Sequence, residues 1–343
     1  MHHLLRRTVV LSATLWVLVI CLCGSALAQG YKAIPATSNT NRTTYTDPLL
    51  VNGWGLAYQP GQPFWVSDNG DGWSTLYNGV GVPQSLQVVI PSANGTGAGS
   101  PTGIVYNGSS QFKVEDWPSY FLFATLDGTI SGWSPISNPT NAIIAVNNSG
   151  SGAVYTGIAV TSHPSGNVLF AADNANNKVD VYDGNFNFVT SFTDPNLTGM
   201  APFGIQDIGG QVYVAFAPTS GGAGGAIDIF TEAGGFVKTL VSGSPLNQPW
   251  GIAMAPSNFG PLSSTLVVSN NTNTGTINGF NPTTGAYVAT IKTSGGNPIQ
   301  INQLWGIEFG GGTANNGKTN QLFFTAGPKN GVYGVFGGIA YIP

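Results

Sequence analysis

Short apolar runs separated by glycine, proline and asparagine make up most of the chain. The runs are rich in aromatic and β-branched residues, as in Phe64-Trp65-Val66-Ser67 and Val212-Tyr213-Val214-Ala215-Phe216, which is typical of β-strands bounded by turns. An apolar period of 3.6 residues does not extend over the length of a helix at any point. The pattern therefore predicts an all-β protein.

A glycine motif, first seen as Asn52-Gly53-Trp54-Gly55, divides these runs into six repeats. Its glycines are Gly55, Gly103, Gly157, Gly204, Gly251 and Gly306. They are 47 to 55 residues apart, which is close to the period of one propeller blade. Three further strand-like runs follow each motif and make up the second, third and outer strands of a blade. The third strands are predicted to end in an aromatic residue: Tyr77, Trp133, Tyr182, Phe230, Phe280 and Phe336. The sequence thus predicts a six-bladed β-propeller with four-stranded antiparallel blades over residues 31–343.

The segment from Tyr31 to Ala36 precedes the first repeat and has the alternating pattern of a strand. The last repeat is one strand short unless Ile339 to Ile342 supplies that strand. Propellers commonly close their ring with a strand from the chain terminus, which leaves no free ring ends. We therefore expect the N-terminal strand to pair with the C-terminal blade.

Residues 1–28 have the features of an export signal. Arg6 and Arg7 precede an apolar run from Thr8 to Cys23, and Ala26-Leu27-Ala28 is a small-x-small cleavage site. The alternative, a transmembrane anchor, is less favoured because the apolar run is short for a bilayer. We expect a secreted or periplasmic protein without a membrane span after cleavage.

The composition of the chain after cleavage limits the catalytic sites, metal sites and partners that it can have. Both cysteines, Cys21 and Cys23, would leave with the signal, and His163 would be the last histidine. This excludes cysteine nucleophiles and multi-histidine metal sites within one chain. Charged residues make up 7% of the chain and its net charge is −4, which argues against nucleic acid as a partner. We expect a monomer that binds a small molecule, a glycan or a protein.

Several segments resemble known propeller repeats. Those from Gly157 to Ala159, from Phe170 to Asn174 and from Lys178 to Gly184 resemble NHL-type repeats. With Ser67-Asp68-Asn69-Gly70 and the segment from Asp127 to Trp133, they resemble an uncharacterised family of exported bacterial NHL-like six-bladed propeller proteins. Some members of that family carry a C-terminal PEP-CTERM sorting tail, which is not seen at Tyr341-Ile342-Pro343. The resemblance implies a fold and export, and no established reaction.

Candidate binding residues are expected around one mouth of the axial channel. In a blade, the entry to the inner strand and the loop between the second and third strands share one face. Ligand-binding candidates on this basis are Asn52, Trp54, Asn247, Trp250, Asn302, Trp305 and Glu308. The tryptophans would either stack on a sugar or another planar ligand, or pack as core between blades.

Glu308 is unusual because it occupies a crowded inner-strand position where other repeats have small residues such as Ala57 and Ala159. A carboxylate there should be paired or have a raised pKa. It would bind a channel cation, act as a base, or line a channel that contains water.

Oxygen-bearing side chains in the same loops would suit a Ca²⁺ site. The candidate ligands are Asp68, Asp127, Asp173 and Asn270, since carboxylate and amide oxygens suit a hard cation. The alternative is that these side chains cap their own tight turns.

No catalytic constellation appears in the sequence, so the favoured function is a non-catalytic binding or scaffolding module with its site at the channel mouth. The alternative is a calcium-dependent hydrolase resembling the lactonases built on six-bladed propellers. That function would require Glu308, an asparagine such as Asn247 or Asn302, and Asp173 to share one cation that polarises a carbonyl group.

Overall fold

The computed structural model describes residues 29–161 and 166–343. The predicted export signal (residues 1–28) and His163 lie outside the described residues. Within them, no helix has the length and apolar character needed to cross a membrane.

The described chain is built almost entirely of β-strands. In chain order they are β1 (Gly30–Ser38), β2 (Tyr45–Thr46), β3 (Gly53–Tyr58), β4 (Phe64–Asp68), β5 (Trp73–Tyr77), β6 (Val88–Val89), β7 (Pro101–Tyr106), β8 (Lys113–Val114), β9 (Trp117–Pro118), β10 (Phe121–Thr125), β11 (Thr129–Trp133), β12 (Ile143–Asn147), β13 (Tyr155–Val160), β14 (Val168–Asp173), β15 (Lys178–Asp183), β16 (Phe188–Phe192), β17 (Met200–Ile208), β18 (Gln211–Pro218), β19 (Ala226–Thr231), β20 (Phe236–Ser242), β21 (Pro249–Met254), β22 (Leu266–Asn270), β23 (Ile277–Phe280), β24 (Tyr287–Thr290), β25 (Leu304–Phe309), β26 (Gln321–Ala326) and β27 (Val335–Ile342). Two short 3₁₀-helices span Ser149–Ser151 and Gly260–Leu262.

Six antiparallel sheets form the blades, each ordered from its inner to its outer strand. Blades 1 to 6 are β3-β4-β5-β6, β7-β10-β11-β12, β13-β14-β15-β16, β17-β18-β19-β20, β21-β22-β23-β24 and β25-β26-β27-β1. The two-residue strand β2 adds to the outer edge of blade 6, parallel to β1. The innermost strands contact one another in a closed ring, from β3 through β7, β13, β17, β21 and β25 back to β3. The hairpin β8-β9 is inserted in blade 2. The predicted six-bladed propeller is therefore confirmed.

The first strand closes the ring, as the sequence predicts. β1 pairs antiparallel with β27, with Tyr31 opposite Tyr341. The buried Tyr31 hydroxyl also donates to the Phe259 carbonyl of blade 5 at 2.7 Å. Residues 339–342 belong to the third strand of blade 6, so they do not supply its fourth strand.

One predicted strand end was wrong. In blades 1 to 5 the predicted aromatic residue lies opposite the first or second residue of the second strand, as Tyr77 does opposite Phe64 and Tyr182 does opposite Leu169. Phe336 instead lies at the beginning of β27, opposite Thr325. The reason is tertiary packing, because Phe336 stacks on Tyr77 of blade 1 with ring centroids 5.0 Å apart.

The hydrophobic core lies between the blades. Each interface between neighbouring blades has its own buried cluster, as where Phe170 and Val181 of blade 3 meet Phe216 and Phe230 of blade 4. Each blade therefore buries its faces only against its neighbours, which is how a chain of this length forms a single ring.

The motif glycines recur because inner strands approach one another closely. A Cβ atom added to Gly55 would lie 2.6 Å from the Thr102 carbonyl oxygen, and one added to Gly251 would lie 2.7 Å from the Trp305 carbonyl oxygen. Both obstacles are backbone atoms of the next inner strand. Only glycine fits where two backbones come this close.

Candidate binding site at the channel mouth

An aromatic plug closes the axial channel at the end where the inner strands begin. It consists of Trp54, Trp250 and Trp305, against which Phe203 and Leu126 pack. The ring centroids of Trp54 and Trp305 are 4.0 Å apart, and those of Trp250 and Trp305 are 5.9 Å apart. The tryptophans are only 6 to 9% exposed. They pack on one another across the mouth, and do not wedge between blades.

The plug forms because of what each repeat carries just before its motif glycine. Blades 1, 5 and 6 carry tryptophan and blade 4 carries Phe203, whereas blades 2 and 3 carry the smaller Thr102 and Thr156. The indole of Trp250 reaches across the axis, and its Nε1 donates to the Thr156 carbonyl at 3.0 Å. Small residues on one side of the ring thus make room for large ones from the other.

Replacing Trp250 by phenylalanine should destabilise the protein by about 1 to 2 kcal/mol more than the same change at Trp54. Both changes remove a similar part of a buried ring. Trp250 Nε1 has the Thr156 carbonyl as its partner, whereas the buried Trp54 Nε1 has no hydrogen-bond partner. Urea unfolding of the two variants measures the difference. Equal losses of stability would show that the hydrogen bond across the axis contributes nothing.

Three amide side chains surround the plug, three residues before the motif glycines of blades 1, 5 and 6. They belong to Asn52, Gln248 and Gln303, whose φ angles are 51°, 52° and 50°. This left-handed conformation is uncommon for residues other than glycine and costs free energy that the surroundings must offset. We call these three residues the amide rim.

The surrounding loops hold the amide rim in place. Asn52 Nδ2 donates to Asn69 Oδ1 at 3.0 Å, and Asn52 Oδ1 accepts from Trp305 Nε1 at 3.2 Å. Gln248 Nε2 donates to the Gly222 carbonyl at 2.6 Å, and Gln303 Nε2 donates to Asn330 Oδ1 at 3.1 Å. The rim is therefore ordered before any ligand arrives.

Asn52 was identified from the sequence, but Gln248 and Gln303 were missed. The predicted residues Asn247 and Asn302 are each one position earlier. The Asn247 backbone N–H donates to Asn270 Oδ1 at 3.0 Å, and Asn302 Nδ2 donates to the Asn273 carbonyl at 2.8 Å, so both tie rim loops together. Aligning the repeats on the motif glycine gives Asn/Gln-x-Trp-Gly in three copies, which is the signal that would have identified the glutamines.

Asparagines at the ends of second strands link alternate pairs of blades. The side-chain amides of Asn69, Asn174 and Asn271 donate to the carbonyls of Pro101, Pro202 and Leu304, at 3.1, 2.9 and 3.2 Å. Each carbonyl belongs to the inner strand of the next blade. These asparagines therefore stabilise the ring close to the rim.

The proposed calcium ligands lie on separate blades, where each has a local partner. Asp127 Oδ2 accepts from the Ser100 N–H at 3.2 Å, Asp173 Oδ1 from the Val154 N–H at 3.1 Å, and Asn270 Oδ1 from the Asn247 N–H. Asp68 Oδ2 accepts from the Thr75 hydroxyl at 2.7 Å, and burial raises the pKa of Asp68 well above its usual value. Over residues 29–161 and 166–343, no three acidic, histidine or cysteine side chains are arranged to hold a metal ion. The calcium site remains a prediction.

Behind the plug, the inner strands enclose a cavity of about 30 Å³. Its lining includes the motif glycines, Gln206 and Glu308. This volume is enough for about one water molecule. Desolvation raises the pKa of Glu308 to about 7. Burial, together with the nearby Glu308 carboxylate, raises the pKa of Tyr58 to about 12.

Comparisons of the sequence find viral relatives. The chain is 29% identical over 325 residues to uncharacterized protein R648 of Acanthamoeba polyphaga mimivirus, covering 88% of this chain and 78% of that protein. It is 32% identical over 257 residues to uncharacterized protein R640 of the same virus, covering 69% of this chain and 47% of that protein. No protein-family model matches the chain. These relatives are viral, so they do not support the bacterial family that the resemblance implied.

Comparisons of the structure find other propellers. Virginiamycin B lyase from Staphylococcus aureus has a TM-score of 0.54 and 14% identity, covering 92% of this chain and 100% of that one. A chain of the COPII outer coat vertex has a TM-score of 0.56 and 14% identity, covering 85% and 70%. A Bacteroides thetaiotaomicron protein of unknown function has a TM-score of 0.55 and 12% identity, covering 92% and 76%. At these identities the likeness shows the fold alone: the chain has the β-propeller fold, with six blades in its own structure.

Proposed function

We propose that this protein is an exported, non-catalytic binding module that holds a polar ligand against the amide rim, above the aromatic plug. The observation that carries the proposal is the set of three amides at φ angles near 50° around a mouth closed by tryptophan. Strained backbone of this kind tends to occur at functional sites. The ligand would be a small molecule, a glycan or a polar segment of a protein.

The chemistry of the rim favours binding over catalysis. A carboxamide donates and accepts hydrogen bonds and does not titrate, whereas a general acid or base needs a pKa near the working pH. Glu308 has a pKa of about 7, but it lines the cavity behind the plug. The rim therefore recognises hydrogen-bonding groups without transferring protons.

Strand register also weighs against a hydrolase in which Glu308 and Asp173 share a cation. Asp173 lies opposite Tyr155, two residues before its motif glycine, whereas Glu308 lies two residues after its own. Four residues of strand correspond to about 13 Å. Ligands of one Ca²⁺ ion all lie within about 2.6 Å of it. This separation of the two positions along their strands weighs against a shared ion.

A double variant of the rim tests the proposal. Gln248→Gly with Gln303→Gly removes two amides, while glycine accepts the left-handed backbone without strain. On a microarray of glycans and polar metabolites, the double variant should lose at least about tenfold in affinity for at least one of the compounds that the wild type binds. Quenching of the plug tryptophans gives a second readout of occupancy.

Two controls make the result specific. Gln62→Ala removes an exposed amide from the loop at the opposite end of β3, and it should bind as the wild type does. Gln303→Asn keeps an amide and tolerates the left-handed region, so it should retain part of the affinity. Unchanged binding by the double variant, or turnover of the bound compound, would contradict the proposal.

A further inference from the structure

A second candidate site lies on the side of the ring, in a crevice between blades 2 and 3. Its volume is about 480 Å³, within the range of about 300 to 1,000 Å³ that is usual for ligand sites. Its lining includes Asn147, Asn148, Lys178, Asp180, Tyr182 and Phe188. None of these residues belongs to the plug or the amide rim.

A hydrogen-bonded network makes the polar wall of the crevice rigid. Asn148 Nδ2 donates to the hydroxyls of Tyr155 and Tyr182, both at 2.7 Å. The Tyr155 hydroxyl donates to Asp180 Oδ2 at 2.9 Å, and Lys178 Nζ lies 2.7 Å from Asp180 Oδ1. Asp180 and Tyr182 are buried, whereas the Lys178 side chain is 33% exposed. The ammonium group is therefore held at the surface of an otherwise fixed wall.

The fold itself does not require this ion pair. The residues that occupy the register position of Asp180 in blades 1 and 5 are Thr75 and Asn278. Blade 4 has the buried Asp228 at that position, but Ala226 occupies the position of Lys178. At the register position of Lys178, blade 1 has Trp73. A buried charge is costly unless it is paired, so the Lys178–Asp180 pair is an addition to the blade and not a part of its common pattern.

The charges in the wall indicate an uncharged ligand. Lys178 Nζ lies within 4.0 Å of both Asp173 and Asp180, so one positive charge stands beside two negative charges. Both carboxylates are buried and the ammonium is the exposed charge, so a cation entering the crevice would first meet the ammonium. An anion that bound the ammonium would be repelled by the two carboxylates behind it. A neutral molecule with hydroxyl groups meets neither repulsion and can still accept a hydrogen bond from the ammonium group.

An exposed aromatic ring completes the crevice. Phe188 is 57% exposed, and it packs edge-on against Tyr182 with ring centroids 6.0 Å apart. One side of a sugar ring is rich in C–H groups, and it packs well on an aromatic face. We propose that this crevice binds a neutral sugar unit, with Phe188 as its stacking surface and Lys178 as its main hydrogen-bonding group. Asn147 can add its second amide hydrogen, because the first donates to the Ala93 carbonyl at 2.8 Å.

Binding of three neutral disaccharides, maltose, lactose and N,N′-diacetylchitobiose, tests this proposal by saturation-transfer NMR and calorimetry. At least one should bind, with a Kd of about 1 mM or lower. Phe188→Ala should weaken that binding by about tenfold or more. Lys178→Arg keeps the ion pair but changes the donor geometry, and it should weaken binding as well.

The matched control is Phe236→Ala in blade 4. Phe236 is 48% exposed and packs edge-on against Phe230 at 5.7 Å, as Phe188 does against Tyr182, so its loss should leave disaccharide binding unchanged. Gln248→Gly with Gln303→Gly should also bind normally, which separates this site from the rim. The proposal is overturned if none of the three sugars binds, if Phe188→Ala binds as the wild type does, or if the anionic sialyllactose binds more tightly than they do.

Discussion

Gly204→Ala is expected to destabilise the propeller by about 3 kcal/mol or more, because overpacking a tight site forces the backbone to move. The added Cβ would overlap the carbonyl group of Trp250, on the next inner strand. Side chains can change rotamer to relieve a clash, but here the obstacle is backbone held in the ring. Urea unfolding at neutral pH measures the loss.

Two other glycines should lose less stability when alanine replaces them, in proportion to the space around the added Cβ atom. An added Cβ on Gly157 would meet its nearest neighbours at 3.3 Å, whereas one on Gly150 would meet nothing within 4 Å. Gly157→Ala should therefore have an intermediate effect, and Gly150→Ala should change stability by less than about 0.5 kcal/mol. If all three variants were equally stable, close approach would not be the reason for the repeated glycine.

The close approach of neighbouring inner strands explains why the fold could be predicted from the sequence. Close approach of inner strands recurs in every blade, least tightly at Gly157, so it leaves a periodic mark at Gly55, Gly103 and the later motif glycines. Ring closure by β1 could also be predicted, since one repeat lacked a strand. Phe336 was misplaced because its position follows from stacking on Tyr77 in another blade, which no local pattern records.

The candidate site could be predicted only in part. The tryptophans were identified, but their contact across the axis depends on which blades carry Thr102 and Thr156 in the same position. Gln248 and Gln303 were missed because glutamine, unlike glycine, does not indicate a left-handed backbone when it is met in a sequence. For Asp127 and Asp173 the sequence left open a calcium site or hydrogen bonds to turns, and the fold gives each an N–H partner on a neighbouring segment.

The free energy of unfolding should fall as the pH rises from about 5 to about 8. Desolvation raises the pKa of Asp71, Asp228 and Glu308 to about 7 in each case, and nearby Asp194 adds to the effect at Asp228. Their ordinary values are 3.8 for aspartate and 4.5 for glutamate. Between these values and about pH 7, the folded protein therefore holds protons that the unfolded chain has already released.

The sign follows from which state binds more protons. Below about pH 4 both states are protonated and the full contribution to stability is present, whereas above about pH 7 it has been lost. A fully desolvated group would contribute roughly 1.4 kcal/mol per pKa unit, and contact with solvent reduces this value. For the three groups together we expect a decrease of at least about 3 kcal/mol between pH 5 and pH 8.

Glu308→Gln should make this dependence shallower and should be more stable than the wild type above about pH 7, because glutamine fills the same space without a charge. Urea unfolding at both ends of the range measures the effect, with Glu115→Gln at an exposed carboxylate as the control. A wild type equally stable at both pH values would contradict the expectation, as would an unchanged slope in Glu308→Gln. Repeating the series with Ca²⁺ and with a chelator adds a further test, because a cation held by Glu308 would lower its pKa and remove its share of the slope.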